Sequence, residues 1–491
     1  MSRLGRSFLL LLLLVAGWLI RLYDLDDPPL DFHPTRQLFS ALKARGIYYA
    51  THPELLPEWK LKFAIRQREK LATIEPEIME HLVAWTYQFT GEALWVARLY
   101  SSLFWVAGGY FLWDLVRRRF STLAAFLSLA SYLFSPYAVI ASRSFQPDPL
   151  MVALLIAFWW GFDRWQESPS LMRTLLAGLL GGMAILVKFP ALFFAYPLLI
   201  GWLAKEKRPR CWVQAIGLSL LMAMPAALYL AYGLWKGFLA QQFGGRFFPE
   251  LWLIPSTYLQ WMQEAHRAAG MWLIVAGLLG LSVLFSSQAK TYLPILFSLW
   301  AGYLLYGFAF SHHITTHDYY HLPLIPLATL SAAPLFDILT SALATHLNGR
   351  FVRLVLGLIL LYAFFGTLWG LRAQLKAVDY RPQAAMWAEI GKKLEHQPGV
   401  IALTPDYGLS LAYWGWQSAQ VWPSSADLNY PSKHNSAQAS QELFERLTAG
   451  KRYFLIADLA DFQRQPWLQA FLQPHPVFAE GPGYRIYSLQ P

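Results

Sequence analysis

Ionisable side chains are scarce in this sequence, and several of them sit in short clusters beside apolar runs. DFHPTRQ, residues 31–37, brings Asp31, His33 and Arg36 together just after the first apolar run. A carboxylate such as Asp31 can take a proton from an acceptor hydroxyl or amine, and His33 and Arg36 are candidate substrate contacts beside it. The alternative role for Asp31 is a cap on a helix that starts near Pro34. SRSFQPDPL, residues 142–150, holds Arg143 and Asp148, the latter between two prolines. That pattern also marks a turn, yet two acids from separate loops can converge on one site, and a neighbouring arginine holds an acid ionised. Lys188 in ILVKFPALF either snorkels at a helix end or offers a point charge to a phosphate. SHHITTHDYYHLPLIP, residues 311–326, adds His317, Tyr319, Tyr320 and His321. The four-residue spacing of the two histidines suits a metal on a helix face. Pro323 and the tyrosines instead favour an interfacial turn touching a lipid phosphate, so the pattern allows a divalent metal without supporting one, and no other cofactor is expected.

The elements that position these residues are membrane helices. Of 491 residues 56% are hydrophobic and 14% charged, with 22 Trp, 25 Tyr and 33 Phe; that balance is the mark of a polytopic membrane protein. Segments 121–140, 149–162, 174–187, 189–204, 211–231, 271–286, 292–310, 322–342 and 354–371 can cross a hydrocarbon core of about 30 Å, some with their flanks included. Residues 8–20, after the basic lead MSRLGR, read as an anchored helix rather than a cleavable leader, with Arg21 snorkelling outward. Basic clusters at Arg117–Arg119, Lys205–Arg210, Arg350–Arg353 and the smaller Lys290 turn mark cytoplasmic loops. The expected topology is about eleven spans, the N-terminus cytoplasmic and the C-terminus outside.

The net charge of +10 then reads as an orientation signal and anionic-lipid contact, with no nucleic-acid partner. The single cysteine, Cys211, excludes a disulfide framework and is expected to pack. Three outer stretches are long: 24–93, 232–269 and everything after about 372. In the first, a helix from Pro34 carries Leu38, Leu42 and Tyr49 on one face and Arg36, Ser40 and Lys43 on another. A second helix after Pro76 is expected to bury Ile78, Leu82, Trp85 and Phe89. Both suit the membrane interface. The tail alternates helical patterns (AAMWAEIGKKL, SQELFERLTAG) with β-like runs (GVIALTP, RYFLIAD, YRIYSLQ), which predicts a small soluble α/β domain. The expected division is therefore 1–375, a transmembrane catalytic domain, and 376–491, an extracytoplasmic α/β domain.

With those residues in place, nearly the whole chain resembles the membrane-embedded GT-C glycosyltransferases of the protein O-mannosyltransferase and aminoarabinose (lipid A) transferase type. The likeness rests on PPLDFHPTRQ, EPEIMEHLVAWTYQFTGEALWVARLYS with Arg98, SRSFQPDPLMV, LVKFPAL and HDYYHLPLIPLA. It implies a polyprenyl-phosphate sugar donor, a lipid, glycan or protein acceptor, and a site at the outer face of the plasma (inner) membrane. It also implies Asp31 as general base, Asp148 as a second acid, and Arg143, Lys188, Tyr319 and Tyr320 as donor-phosphate contacts. The family often shows two adjacent acids in the first loop, whereas Phe32 follows Asp31 here. No G-x-x-x-x-G-K-[ST] pattern occurs, which accords with a lipid-linked rather than a nucleotide-hydrolysing energy source. The rival readings are a lipid-linked glycan ligase or polymerase and a secondary transporter. The latter is disfavoured by the lack of an internal repeat.

Overall fold

A computed structural model describes residues 2–73, 75–204, 206, 209–239, 247–286, 292–346, 349–428 and 441–490. The Lys290 turn and the side chains of Cys211 and Arg350–Arg353 lie outside the described residues, as does most of the Lys205–Arg210 cluster. The chain forms two compact units: residues 1–25, 73–78 and 95–377, and residues 26–72, 79–94 and 378–491. This differs from the expected cut at 375, because most of the first outer loop groups with the tail.

The first unit is helical. Four described helices are long and apolar enough to cross a membrane: Arg3–Arg21, Trp212–Trp235, Asp318–Leu343 and Gly357–Leu375; a fifth arises if Pro255–Ala269 and Met271–Phe285, bent by 96°, count as one span. The helices Trp95–Arg119 and Asp148–Glu167, of 25 and 20 residues, have the length as well but carry charges at their ends. Thr122–Phe134, Leu171–Val187, Phe189–Leu203 and Leu293–Ala309 are apolar but shorter. The unit's end charges are largely paired: Arg117 and Arg164 reach Asp114 at 2.6 and 3.1 Å, and Arg119 reaches Asp163 at 2.7 Å.

Glycines let the central helices approach. A Cβ at Gly178 or Gly182 on Leu171–Val187 would stand 2.6 Å from the Leu221 side chain or 2.8 Å from its carbonyl, and one at Gly181 would stand 2.9 Å from Phe158. Small residues at such crossings let membrane helices pack backbone to backbone. Arg21 does not snorkel as expected. It is fully buried and donates to Ser142 Oγ at 2.7 Å and to the carbonyls of Gly17 and Leu133 at 2.5 and 2.9 Å. Carbonyls left open at helix ends offer a buried guanidinium what water would otherwise supply.

The second unit joins the outer-loop helices Pro34–Thr51, Glu58–Lys70 and Ile78–Thr90 to a five-stranded sheet. Its strands are β1 (Val400–Leu403), β2 (Gln420–Val421), β3 (Tyr453–Ile456), β4 (Val477–Gly481) and β5 (Tyr484–Ser488), in the order β2-β1-β3-β5-β4. β1 pairs in parallel with β2 and β3, while β5 pairs antiparallel with β3 and β4. Alternation along β1 splits the core into two layers. Val400 and Ala402 join Trp387, Ile390 and Ile486 on one face; Ile401 and Leu403 join Trp422, Phe454 and Leu468 on the other.

Two expected faces are corrected. Pro34–Thr51 is buried along nearly all of residues 37–48, Ser40 and Lys43 included, because its polar groups find partners inside: Ser40 donates to Glu80 at 2.7 Å. On Ile78–Thr90 the buried residues are Met79, Glu80, Val83, Ala84 and Tyr87, whereas Trp85 and Phe89 point outward at 57% and 73% exposure. Outward aromatic rings suit a helix that meets lipid rather than water.

Candidate functional site

In the first unit the charged centre is built at two helix ends. Asp148 opens the helix Asp148–Glu167, where an acid is favoured by the helix dipole, but its N-cap residue, Pro147, makes no side-chain cap bond. The Asp148 carboxylate instead takes both oxygens to Lys188 Nζ, at 2.7 and 2.9 Å. Lys188 is the C-cap of Leu171–Val187, the end at which a cation is favoured. Both residues are buried, at 1% and 5% exposure, so Lys188 does not snorkel.

Aromatic rings complete the surroundings of the ammonium. Lys188 Nζ lies over Tyr319 and Tyr320 at 4.9 and 5.2 Å from their centroids, a geometry in which ring quadrupoles attract a cation. Tyr320 in turn stacks on Tyr306, 5.8 Å away and almost parallel. A buried chain fixes the turn that carries both tyrosines: Trp261 Nε1 donates to the Tyr303 hydroxyl at 2.9 Å, and that hydroxyl lies 2.8 Å from His321 Nδ1. His321 Nε2 lies 2.8 Å from the Ile314 carbonyl. Both ring nitrogens of His321 are thus engaged within the fold, and the residue positions the turn. His317, half-buried, stacks against His313 with centroids 5.6 Å apart, and among the described residues no group of three or more His, Cys, Asp or Glu is placed to hold a metal ion.

Lys188 and Tyr320 also line a cleft of about 490 Å³ whose walls are mostly apolar, including Tyr196, Leu230 and Phe310; Glu75 is the other ionic residue among its described lining. A buried cation beside an apolar cleft matches an amphiphile with an anionic head. Arg143 has a different task. Its NH1 and NH2 donate to the carbonyls of Tyr23 and Asp24 at 2.7 and 3.0 Å, which ties the segment after the first helix to the loop that precedes Asp148. A guanidinium so used holds two backbone segments together.

In the second unit, Asp31, His33 and Arg36 surround the start of Pro34–Thr51. His33 is the N-cap, in left-handed backbone with φ 44° and no side-chain cap bond; its ring packs edge-on against Phe32 at 4.6 Å. The loop holding Asp31 is fastened from within: the buried amide of Gln37 donates to the carbonyls of Pro29 and Phe32 at 3.1 and 2.6 Å, and Asp27 accepts from the Tyr380 N–H at 3.0 Å. Burial raises the Tyr380 hydroxyl above the ordinary phenol range, and the charges of Asp31 and Asp27 add to it. Asp31 is thus a partly exposed carboxylate close to a tyrosine, on a rigid loop. The chain's pattern exposed the ionisable residues but not the partners Gln37, Tyr303 and Trp261, which look like ordinary helix residues.

Residues 75–235 match the family model described as dolichyl-phosphate-mannose-protein mannosyltransferase. No curated protein matches the chain. Among solved structures, ArnT from Cupriavidus metallidurans is similar in its apo state and bound to undecaprenyl phosphate, each at 13% identity and a TM-score of 0.61, covering 99% of this chain and 98% of ArnT. The archaeal oligosaccharyltransferase AglB from Archaeoglobus fulgidus, in complex with an inhibitory peptide and a dolichol-phosphate, is similar at 12% identity and a TM-score of 0.56, covering 93% of this chain and 70% of AglB. The chain therefore shares the fold of these proteins.

Proposed function

We propose that this protein moves a sugar from a polyprenyl-phosphate donor to an acceptor at the outer surface of the plasma membrane, with the N-terminus cytoplasmic, the C-terminal unit outside and about eleven spans. The observation that carries this reading is the buried Lys188, flanked by Tyr319 and Tyr320, lining an apolar cleft. A polyprenyl phosphate has the two features this cleft would bind: an apolar chain and an anionic head. The relatives in fold that hold undecaprenyl phosphate or a dolichol-phosphate support it.

In the proposed step an acceptor oxygen or nitrogen attacks the anomeric carbon of the donor sugar, the bond from that carbon to the phosphate oxygen breaks, and the acceptor proton passes to Asp31. Lys188 exchanges its bond to Asp148 for one to the donor phosphate, and its charge stabilises the departing polyprenyl phosphate. The protein then supplies position, one cation and one base. Transfer of radiolabelled sugar from a polyprenyl-phosphate donor, measured beside thermal stability, tests the roles. Asp31→Asn is expected to lower turnover about a hundredfold or more while the protein keeps its stability. An active Asp31→Asn beside an inactive Asp148→Asn would move the base to the second loop.

A further inference from the structure

A second cleft, of about 800 Å³, lies within the unit that contains the sheet. Leu30 and Pro34, which bracket Asp31, line it together with Tyr380, Met386, Asp406 and Tyr484. Its volume falls within the roughly 300–1,000 Å³ of small-molecule sites. Among the described lining residues the ionisable side chains are acids and tyrosines, Glu389 and Asp406 among them, with no lysine, arginine or histidine. Gly483, with φ 88°, forms part of the wall, and a Cβ there would stand 3.2 Å from Met386 Sδ.

Asp406 makes this cleft more than a surface groove. It is 3% exposed, its Oδ2 accepts from the Ser410 N–H at 2.7 Å, and its Oδ1 is buried without a hydrogen-bond partner. A buried acceptor left unmatched costs free energy that a donor from a ligand restores. Tyr380 and Tyr484 add flat apolar faces. Hydroxyl donors and an uncharged ring therefore fit, whereas a phosphate would meet two carboxylates, Glu389 already paired with Lys393 at 2.9 Å and Asp406 without an ion pair among the described residues.

We propose that this cleft is the subsite for an uncharged sugar of the acceptor, held by Asp406 beside Asp31, and that it rejects anionic groups. The word acceptor rests on the glycosyl-transfer reading; the binding of a neutral sugar does not. Saturation-transfer NMR on the full chain in detergent, with glucose and glucose 6-phosphate as probes, tests it. Glucose is expected to give a saturable signal, lost in Ala385→Trp, which fills the cleft from an exposed lining position, and weakened about tenfold in Asp406→Asn; glucose 6-phosphate is expected to give none. Absence of a glucose signal overturns the proposal, as does a signal that both substitutions leave intact or an equal response to the phosphorylated sugar. Undecaprenyl phosphate binding, measured in parallel, separates the two ideas. If the lipid binds and glucose does not, this cleft's role falls alone; if glucose binds and the lipid does not, the donor reading falls instead.

Discussion

Two ion pairs, one in each unit, are built to opposite ends. Arg45 meets Glu92 at 2.7 Å, donates to the Tyr413 carbonyl at 2.6 Å, and lies over the rings of Tyr413 and Trp416 at 3.8 and 4.2 Å. The Tyr413 hydroxyl closes the circuit by donating to Glu92 at 2.6 Å. Lys188 has Asp148 as its hydrogen-bond partner and otherwise faces aromatic rings along a cleft. A planar fork with fixed partners on several sides is a fastening, while a point charge with one partner can be handed to another anion. Burial alone does not tell a structural ion pair from a functional one; the number of partners and the presence of open space do.

The comparison is broken most directly by stability. Arg45→Ala leaves the largely enclosed Glu92 without its cation and is expected to cost up to about 3 kcal/mol, read as a lowered Tm in detergent. The folded fraction should still bind undecaprenyl phosphate with unchanged affinity. If Arg45→Ala abolishes lipid binding at full stability, the two pairs have been assigned the wrong way round.

Next in size is the loss of donor affinity. Lys188→Ala removes a charge-assisted contact of about 1.5–3 kcal/mol, so undecaprenyl phosphate should bind about 10- to 150-fold more weakly in native mass spectrometry or calorimetry. Asp148→Asn acts in the reverse direction, because it removes the anion with which the phosphate competes. Affinity should tighten by a few-fold, on the order of 1 kcal/mol. Equal weakening in both variants would mean that the pair binds the lipid as a unit, and the exchange of partners would have to be abandoned.

How much of this was legible in the sequence depends on what each signal measures. Short β-like runs placed β1, β3 and β5, whose residues are mostly buried; β4, VFAEG, is largely exposed and β2 has two residues, so neither produced a pattern. Periodicity on Pro34–Thr51 separated apolar from polar correctly but not inside from outside, because Ser40 and Arg45 find partners within the fold. On Ile78–Thr90 the same rule put Trp85 and Phe89 inward, although an apolar residue in a membrane protein has two apolar places to go. Asp148 and Lys188 stood out as charges in greasy surroundings. Their pairing across 40 residues did not, since a contact of that separation leaves no local trace. Arg45 in ALKARGIYY gave one unused signal: an arginine among small and apolar residues.

Another buried acid, one without an ion pair among the described residues, sharpens the comparison. It is Asp406, and burial raises its carboxyl above the ordinary aspartate range despite the hydrogen bond from the Ser410 N–H. A folded-state pKa above the unfolded value means that the folded protein binds the extra proton between those two values, so stability falls as pH rises through that interval and stays lowered at neutral pH. This is opposite in sign to a carboxylate stabilised by a paired cation. Asp406→Asn removes the titration while an amide oxygen remains to accept from the Ser410 N–H. Its Tm is therefore expected to exceed that of the unsubstituted protein at pH 7, by the smallest margin of the effects proposed, and the excess should shrink as pH falls toward the ordinary aspartate range. Thermal unfolding of both proteins across pH 4–7 measures that difference directly. An Asn variant that is less stable at pH 7 and regains parity in acid would mean that Asp406 is stabilised as a carboxylate in the fold, and that its lone oxygen already has a donor without any ligand.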